Sequence, residues 1–205
     1  SGNAFAVANR IAPIYPMYMR DANGNIMYDQ TSRMIAYDYG SGKVAPFRAF
    51  MSGANPISDA RLNTANSEGN TFNGTGFAEI QLPYGFKFTS INNVYLNESR
   101  STGTTNPYFG QYAASNGMVN KEHDRSWSYN YQQRINWHQV YGKHDVEVML
   151  GHEYYRAYGY ALYAGKHNQF SVDNKELAGA VVLDNGSSSM SEYNTESWLS
   201  RAMYN

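Results

Sequence analysis

The sequence predicts an all-β chain, and three observations carry that reading. Apolar and polar side chains alternate with period two over long runs. Tight turns built on Gly, Pro and Asn alternate with long polar connections. Segments with the 3.6-residue apolar period of an amphipathic helix are hard to find. A strand sends successive side chains to opposite faces, so a sheet with different surroundings on its two sides writes this alternation into its sequence.

Taken in chain order, the first sixty residues are the least regular. Ile11-Ala12-Pro13-Ile14-Tyr15-Pro16 is excluded from a central strand by its two prolines, which cannot donate to a ladder. Asp21-Ala22-Asn23-Gly24-Asn25 reads as a turn inside a small hairpin. Further on, Phe72, Gly74, Gly76, Ala78, Ile80 and Leu82 alternate with Asn73, Thr75, Glu79 and Gln81, with Phe77 the exception on the polar side. Pro83-Tyr84-Gly85 makes a tight turn, and the chain returns with Phe86 and Phe88 opposite Lys87 and Thr89. The alternation weakens after Ser90, and residues 99–124 read as a polar, Gly-rich connection.

The clearest strand covers residues 125–141. Trp127, Tyr129, Tyr131, Ile135, Trp137 and Tyr141 form one face, interrupted by Gln133 and Gln139. Ser126, Ser128, Asn130, Gln132, Arg134, Asn136 and His138 form the other. A Tyr-Gly-Lys turn leads into a partner strand from His144. There Val146, Val148, Leu150 and Tyr154 share a face, continued by Tyr158, Tyr160 and Leu162, and Asp145, Glu147, Gly151 and Glu153 share the other. The pair reads as a long hairpin. Residues 166–194 form a second patternless connection. A last strand is expected from near Thr195 and is cut off at Asn205, so the chain reads as a fragment.

Composition narrows the class. Among 205 residues, 16 basic and 17 acidic side chains give a net charge of -1, which excludes the basic field of a nucleic-acid binder. Charged residues reach only 16% and aromatics 15%, with 19 tyrosines, against roughly 25% charged in soluble domains. Cysteine is absent, which excludes disulfides and thiolate metal sites. The first residues show no basic segment followed by an apolar one, so a secretory leader is expected to be missing, removed or far upstream. No stretch approaches the ~20 apolar residues of a membrane helix, but a barrel strand needs only about 9–11, every second one apolar. Loops as long as the two connections are unusual in compact domains unless they carry function. Short turns on one side and long loops on the other are the habit of outer-membrane barrels, periplasmic and extracellular respectively. The expected architecture is a partial antiparallel transmembrane β-barrel wall, one piece of a single barrel domain over residues 1–205.

Motifs with chemistry are weak. Asp21, Asn23 and Asn25 are spaced like the start of a calcium loop, but Gly24 comes too early. Gly40-Ser41-Gly42-Lys43 lacks the first glycine of a phosphate loop and the Ser or Thr after the lysine. His152-Glu153 is not followed by a second metal-ligating histidine, and no Gly-x-Ser-x-Gly elbow occurs. Glu122-His123-Asp124 is placed at a loop-to-strand junction. Glu147 and Glu153 share a face and are explained by solvation before glycosidase chemistry is invoked. Three Asn-x-Ser/Thr matches are expected by chance in an Asn-rich chain. No catalytic residue, cofactor or metal is expected. Tyr108, Phe109, Tyr112 and Phe170 stand among small polar residues, as contacts for a substrate or partner or as anchors of their loops.

Several stretches together resemble SusC-type (RagA-like) TonB-dependent transporters, the outer-membrane nutrient importers of Bacteroidota. They are Ile11-Ala12-Pro13-Ile14-Tyr15-Pro16 with Arg20-Asp21-Ala22-Asn23-Gly24-Asn25, Gly53-Ala54-Asn55-Pro56-Ile57, Phe77-Ala78-Glu79-Ile80 with Gly85-Phe86-Lys87-Phe88, and Asn106-Pro107-Tyr108-Phe109-Gly110. Tyr141-Gly142-Lys143-His144-Asp145, Leu150-Gly151-His152-Glu153-Tyr154-Tyr155 and Trp198-Leu199-Ser200-Arg201-Ala202 complete the series. The resemblance implies a large plugged barrel of 22-stranded type, importing a glycan or peptide with a SusD-like lipoprotein and driven by TonB through parts that this chain lacks. On that reading the Trp127 face meets outer-membrane lipid, and Arg134, His138, Glu147 and Glu153 face the lumen. Two other readings stay open. A soluble secreted β-sandwich carbohydrate-binding module would bury the Trp127 face as its core. A secreted glycoside hydrolase would need a close carboxylate pair in a cleft.

Overall fold

In the computed structural model, residues 9–10, 15–40, 55–110 and 112–205 are described. Ile11-Ala12-Pro13-Ile14, Ser41-Gly42-Lys43 and Gly53-Ala54 therefore lie outside the described residues.

Five strands follow one another: β1 (Thr64–Gln81), β2 (Phe86–Thr105), β3 (Met118–Tyr141), β4 (His144–Gln169) and β5 (Ala180–Tyr204). They form one antiparallel sheet in the order β1-β2-β3-β4-β5, each strand beside its neighbours in sequence. The strands run from 18 to 26 residues, where strands of globular proteins usually have roughly 3–10. Such length is the property of a tall wall rather than of a compact sandwich.

Short turns join β1 to β2 and β3 to β4. In the first, Tyr84 and Gly85 take φ 61° and 80°; in the second, Gly142 takes φ 65°. Gly85 is required twice over. A Cβ there would collide with the carbonyl oxygen of His138 and lie 2.8 Å from Gln139 Nε2. The other connections cover residues 106–117 and 170–179. The expected asymmetry of short turns and longer loops is present, but the strands reach further than the alternation marks. β2 continues to Thr105 and β3 starts at Met118, so Glu122-His123-Asp124 lies within a strand. β5 begins at Ala180 rather than near Thr195.

The chain divides into two compact units, Ser1–Ser67 with Ser101–Glu122 and Tyr163–Ser187, and Glu68–Arg100 with His123–Leu162 and Ser188–Asn205. In the first unit, bridge Arg20↔Ile26 closes a small hairpin, and Tyr28↔Ile35 and Tyr18↔Tyr37 add a third segment to it. Its tip is the expected turn. Asp21 Oδ1 accepts from the Asn23 and Asn25 N–H groups, at 2.9 and 2.8 Å. These bonds, that from the Asn25 amide N–H first, hold the Asp21 carboxyl below the usual carboxylate range. Helix α1 (Pro56–Leu62) starts on Asn55, with Pro56 inside its first turn. The Asn55 side chain accepts from the Ser58 N–H and donates to the carbonyls of Met17 and Asp38, at 3.0 and 2.9 Å. One buried amide thus caps the helix and ties it to the hairpin. Tyr39 donates to Asp59 of α1, at 3.0 Å, and burial followed by that carboxylate pushes its hydroxyl well above the ordinary phenol range.

The second unit is a two-faced stretch of sheet. Trp127 of β3 stacks on Tyr158 of β4 and on Tyr129, and Tyr129 stacks on Tyr154, with ring centroids 5.6–5.8 Å apart. Phe86 of β2 meets Trp137, and His152 meets Trp198 of β5 at 4.4 Å. These contacts place the even residues of β4 and the Trp127 series of β3 on one aromatic face. The opposite face carries amide, hydroxyl and charged groups, as the alternation predicts, and the aromatic face also holds the ion pairs His152–Glu196 and Arg156–Glu192.

Candidate functional site

The polar face is built by side chains that satisfy one another across strands. Thr71 donates to Asn97, and Asn93 donates to Asn73 and Thr75, each at 2.8 Å. Between β3 and β4, Glu153 Oε1 accepts from Asn130 Nδ2 at 3.0 Å and from Gln132 Nε2 at 3.1 Å. Nearer the turns the face becomes ionic. Lys87 meets Glu79 at 3.2 Å, His138 meets Asp145 at 2.7 Å, and Arg201 meets Glu147 at 2.8 Å. These pairs are half exposed, so each contributes about 0–1 kcal/mol and serves register more than stability.

All four residues expected on the lumen side therefore share one face. Glu153, Glu147 and His138 are engaged with neighbouring strands. Arg134 is exposed, beside a shallow depression also lined by Gln132, Met149, Gly151, His152, Glu153 and Leu199. A Cβ at Gly151 would stand 2.8 Å from Leu199 Cδ1 and 3.4 Å from Arg134 Cγ. The missing side chain thus leaves room for both residues. Alternation alone gave the face, but not the depression, because a hollow depends on which strand lies opposite a glycine.

The four loop aromatics do not form one cluster. Asn63 Oδ1 accepts from the Asn106 N–H at 2.9 Å and from its side chain at 2.7 Å. Asn106 Oδ1 in turn accepts from the N–H groups of Tyr108 and Phe109. Phe109 packs edge-on against Tyr37 at 5.5 Å, so it is a loop anchor. Tyr112 is half-buried in a turn whose carbonyl accepts from Ser115 and Gly117. Tyr108 is exposed, and Phe170 is 78% exposed. Phe170 is held at its backbone by Gly179, next to a seam in which Asn116 donates to Asn168 and to the Gln169 carbonyl. The amide residues Asn55, Asn63, Asn106 and Asn116 organise this unit, and sequence reading missed that role. The signal is in the pairing of Asn55 with Pro56, a helix start.

Among the described residues, no group of three or more histidine or carboxylate side chains is placed to hold a metal ion, and no helix is long and apolar enough to cross a membrane. The latter says nothing of strands.

No protein-family model and no curated protein matches the sequence. Solved structures do. The chain is similar to the RagAB peptide transporter at 19% identity and TM-score 0.66, over 89% of this chain and 19% of that one. It is similar to the RagAB peptide importer in its open-open state at 19% identity and TM-score 0.66, over 90% and 19%. For the closed-closed state the values are 20% identity and TM-score 0.67, over 95% and 22%. The chain thus spans about a fifth of the length of the solved chains it matches. Its fold is all-β, an open antiparallel five-stranded sheet of long strands that matches part of a RagA barrel wall.

Proposed function

We propose that this chain is part of the barrel wall of a SusC-type, TonB-dependent importer in the bacterial outer membrane, a transporter rather than an enzyme. The whole protein takes up peptides or glycans with a SusD-like lipoprotein, and TonB engages parts outside this chain. The observation that carries the reading is the uninterrupted meander of long strands, which follows the RagAB fold over nearly its full length. The separation of faces supports it. In lipid every backbone polar group must be paired within the protein, so a spanning sheet has to close on itself. On this reading the Trp127 face meets acyl chains and headgroups, and the Arg134 face lines the lumen. Both β1 and β5 end the described sheet and carry large exposed apolar side chains, among them Phe72, Ile80 and Trp198. Further strands of a barrel would cover those edges.

The soluble-sandwich reading needs a second sheet over the Trp127 face, and the strands described here form a single sheet. The test is fractionation of cells making the intact protein, with electrophoresis before and after boiling. The importer reading expects outer-membrane location and heat-modifiable migration. A soluble, monomeric periplasmic or secreted product would overturn it.

A further inference from the structure

The depression at Gly151 holds a cation and an anion that the fold leaves unmatched. Arg134 makes no ion pair or side-chain hydrogen bond to any described residue, whereas Glu147 and Asp145 on the same face are matched by Arg201 and His138. Glu153 lies two residues along β4 from Gly151, on the same face. Its Oε1 is fixed by the Asn130 and Gln132 amides, and Oε2 has no partner among the described residues. No ion pair joins Arg134 to Glu153, although both line the depression. A guanidinium offers a planar fork of donors that fits a carboxylate in bidentate fashion. A neighbouring carboxylate oxygen accepts an N–H. The C-terminal residue of a peptide presents a carboxylate and a backbone N–H on adjacent atoms, and so fits this pair.

We propose that Arg134, Gly151 and Glu153 form a subsite for the free C-terminal carboxylate of a peptide cargo. Arg134 takes the carboxylate, Glu153 Oε2 accepts the N–H of the last residue, and Gly151, by lacking a side chain, lets Arg134 and Leu199 line the depression. Met149 and Leu199 supply an apolar border for the terminal side chain. The inference rests on the importer reading and adds to it the end of the cargo that is recognised.

The probe is a tripeptide with a free carboxyl end, against the same tripeptide amidated, titrated into the intact transporter in detergent. The wild type is expected to bind the acid at least tenfold more tightly than the amide. Arg134→Gln should bring that ratio close to one, and Arg134→Lys should restore part of it. Heat-modifiable migration of each variant separates lost binding from lost folding. Equal binding of acid and amide by the wild type, or a ratio that survives Arg134→Gln, overturns the subsite and leaves the importer reading standing. A correctly folded barrel that binds neither peptide overturns the peptide-cargo reading and this subsite together. A preference for a glucuronate-ended over a glucose-ended disaccharide, with none between the peptides, would assign Arg134 to sugar acids and refute the peptide terminus.

Discussion

Replacing Ile135 with arginine tests which face of the wall meets lipid. Ile135 belongs to the Trp127 series on β3. It lies two residues from Trp137, whose indole donates to the Tyr84 carbonyl in the turn between β1 and β2. The two-residue turn Gly142-Lys143 and the contacts Trp127–Tyr158 and Gln132–Glu153 set the β3–β4 register and put Leu150 opposite Ile135. The position is therefore apolar, exposed and well inside the strand. An arginine on the lipid face of a barrel costs about 2–4 kcal/mol at mid-bilayer. That amounts to roughly a 30- to 700-fold fall in the folded-to-unfolded ratio. The assay is urea-dependent folding of the intact protein into lipid vesicles, followed by heat-modifiable migration. Asn136→Arg is the control, since the neighbouring residue points to the opposite, polar face and should change stability by less than about 0.5 kcal/mol. If Ile135→Arg folds like the wild type while Asn136→Arg does not, the two faces have been assigned the wrong way round. If both fold normally, the segment is not in the bilayer.

Three further outcomes follow from local geometry. Gly85→Ala combines a positive φ with a clash against the His138 carbonyl, so it should cost more than about 1 kcal/mol and lower the yield of folded barrel; wild-type yield would refute this. Asn55→Ala removes a helix cap and two buried carbonyl contacts. A loss of about 1–3 kcal/mol of local stability should appear as faster amide exchange in residues 15–40, with the strands unaffected. The Asp21 turn should loosen in acid. Its carboxyl is held below its unfolded value of 3.8, so its contribution is complete above that pH and is lost as the pH falls through the lower folded value. Chemical shifts of the Asn23 and Asn25 amides report this directly, and Asp21→Asn should abolish the transition.

How much of this was legible depended on contrast between the faces. In β3 and β4, tyrosine and tryptophan face serine, asparagine and charge, so the alternation marked both strands and the turn at Gly142. Thr64 to Thr71 of β1, β2 beyond Ser90 and the first half of β5 are Ser-, Asn- and Gly-rich on both sides. Their alternation is weak or missing because period two is visible only where the two surroundings differ. Backbone pairing with a neighbour, not side-chain pattern, holds them in the sheet. Of the candidate residues, the shared face of Arg134, His138, Glu147 and Glu153 was legible from parity alone. The anchoring of Phe109 was not, because it depends on Tyr37, far away in sequence.

The protein contains three tryptophans, and all of them stand on the aromatic face. Trp127 stacks on Tyr158, Trp137 meets Phe86, and Trp198 covers His152. Intrinsic fluorescence from this segment is therefore a one-sided optical probe. On the importer reading, quenchers carried on acyl chains address every indole in it, and quenchers confined to a water-filled interior address none. A single emission spectrum recorded with each kind of quencher thus reports which medium bathes each side of the sheet, without any label or substitution.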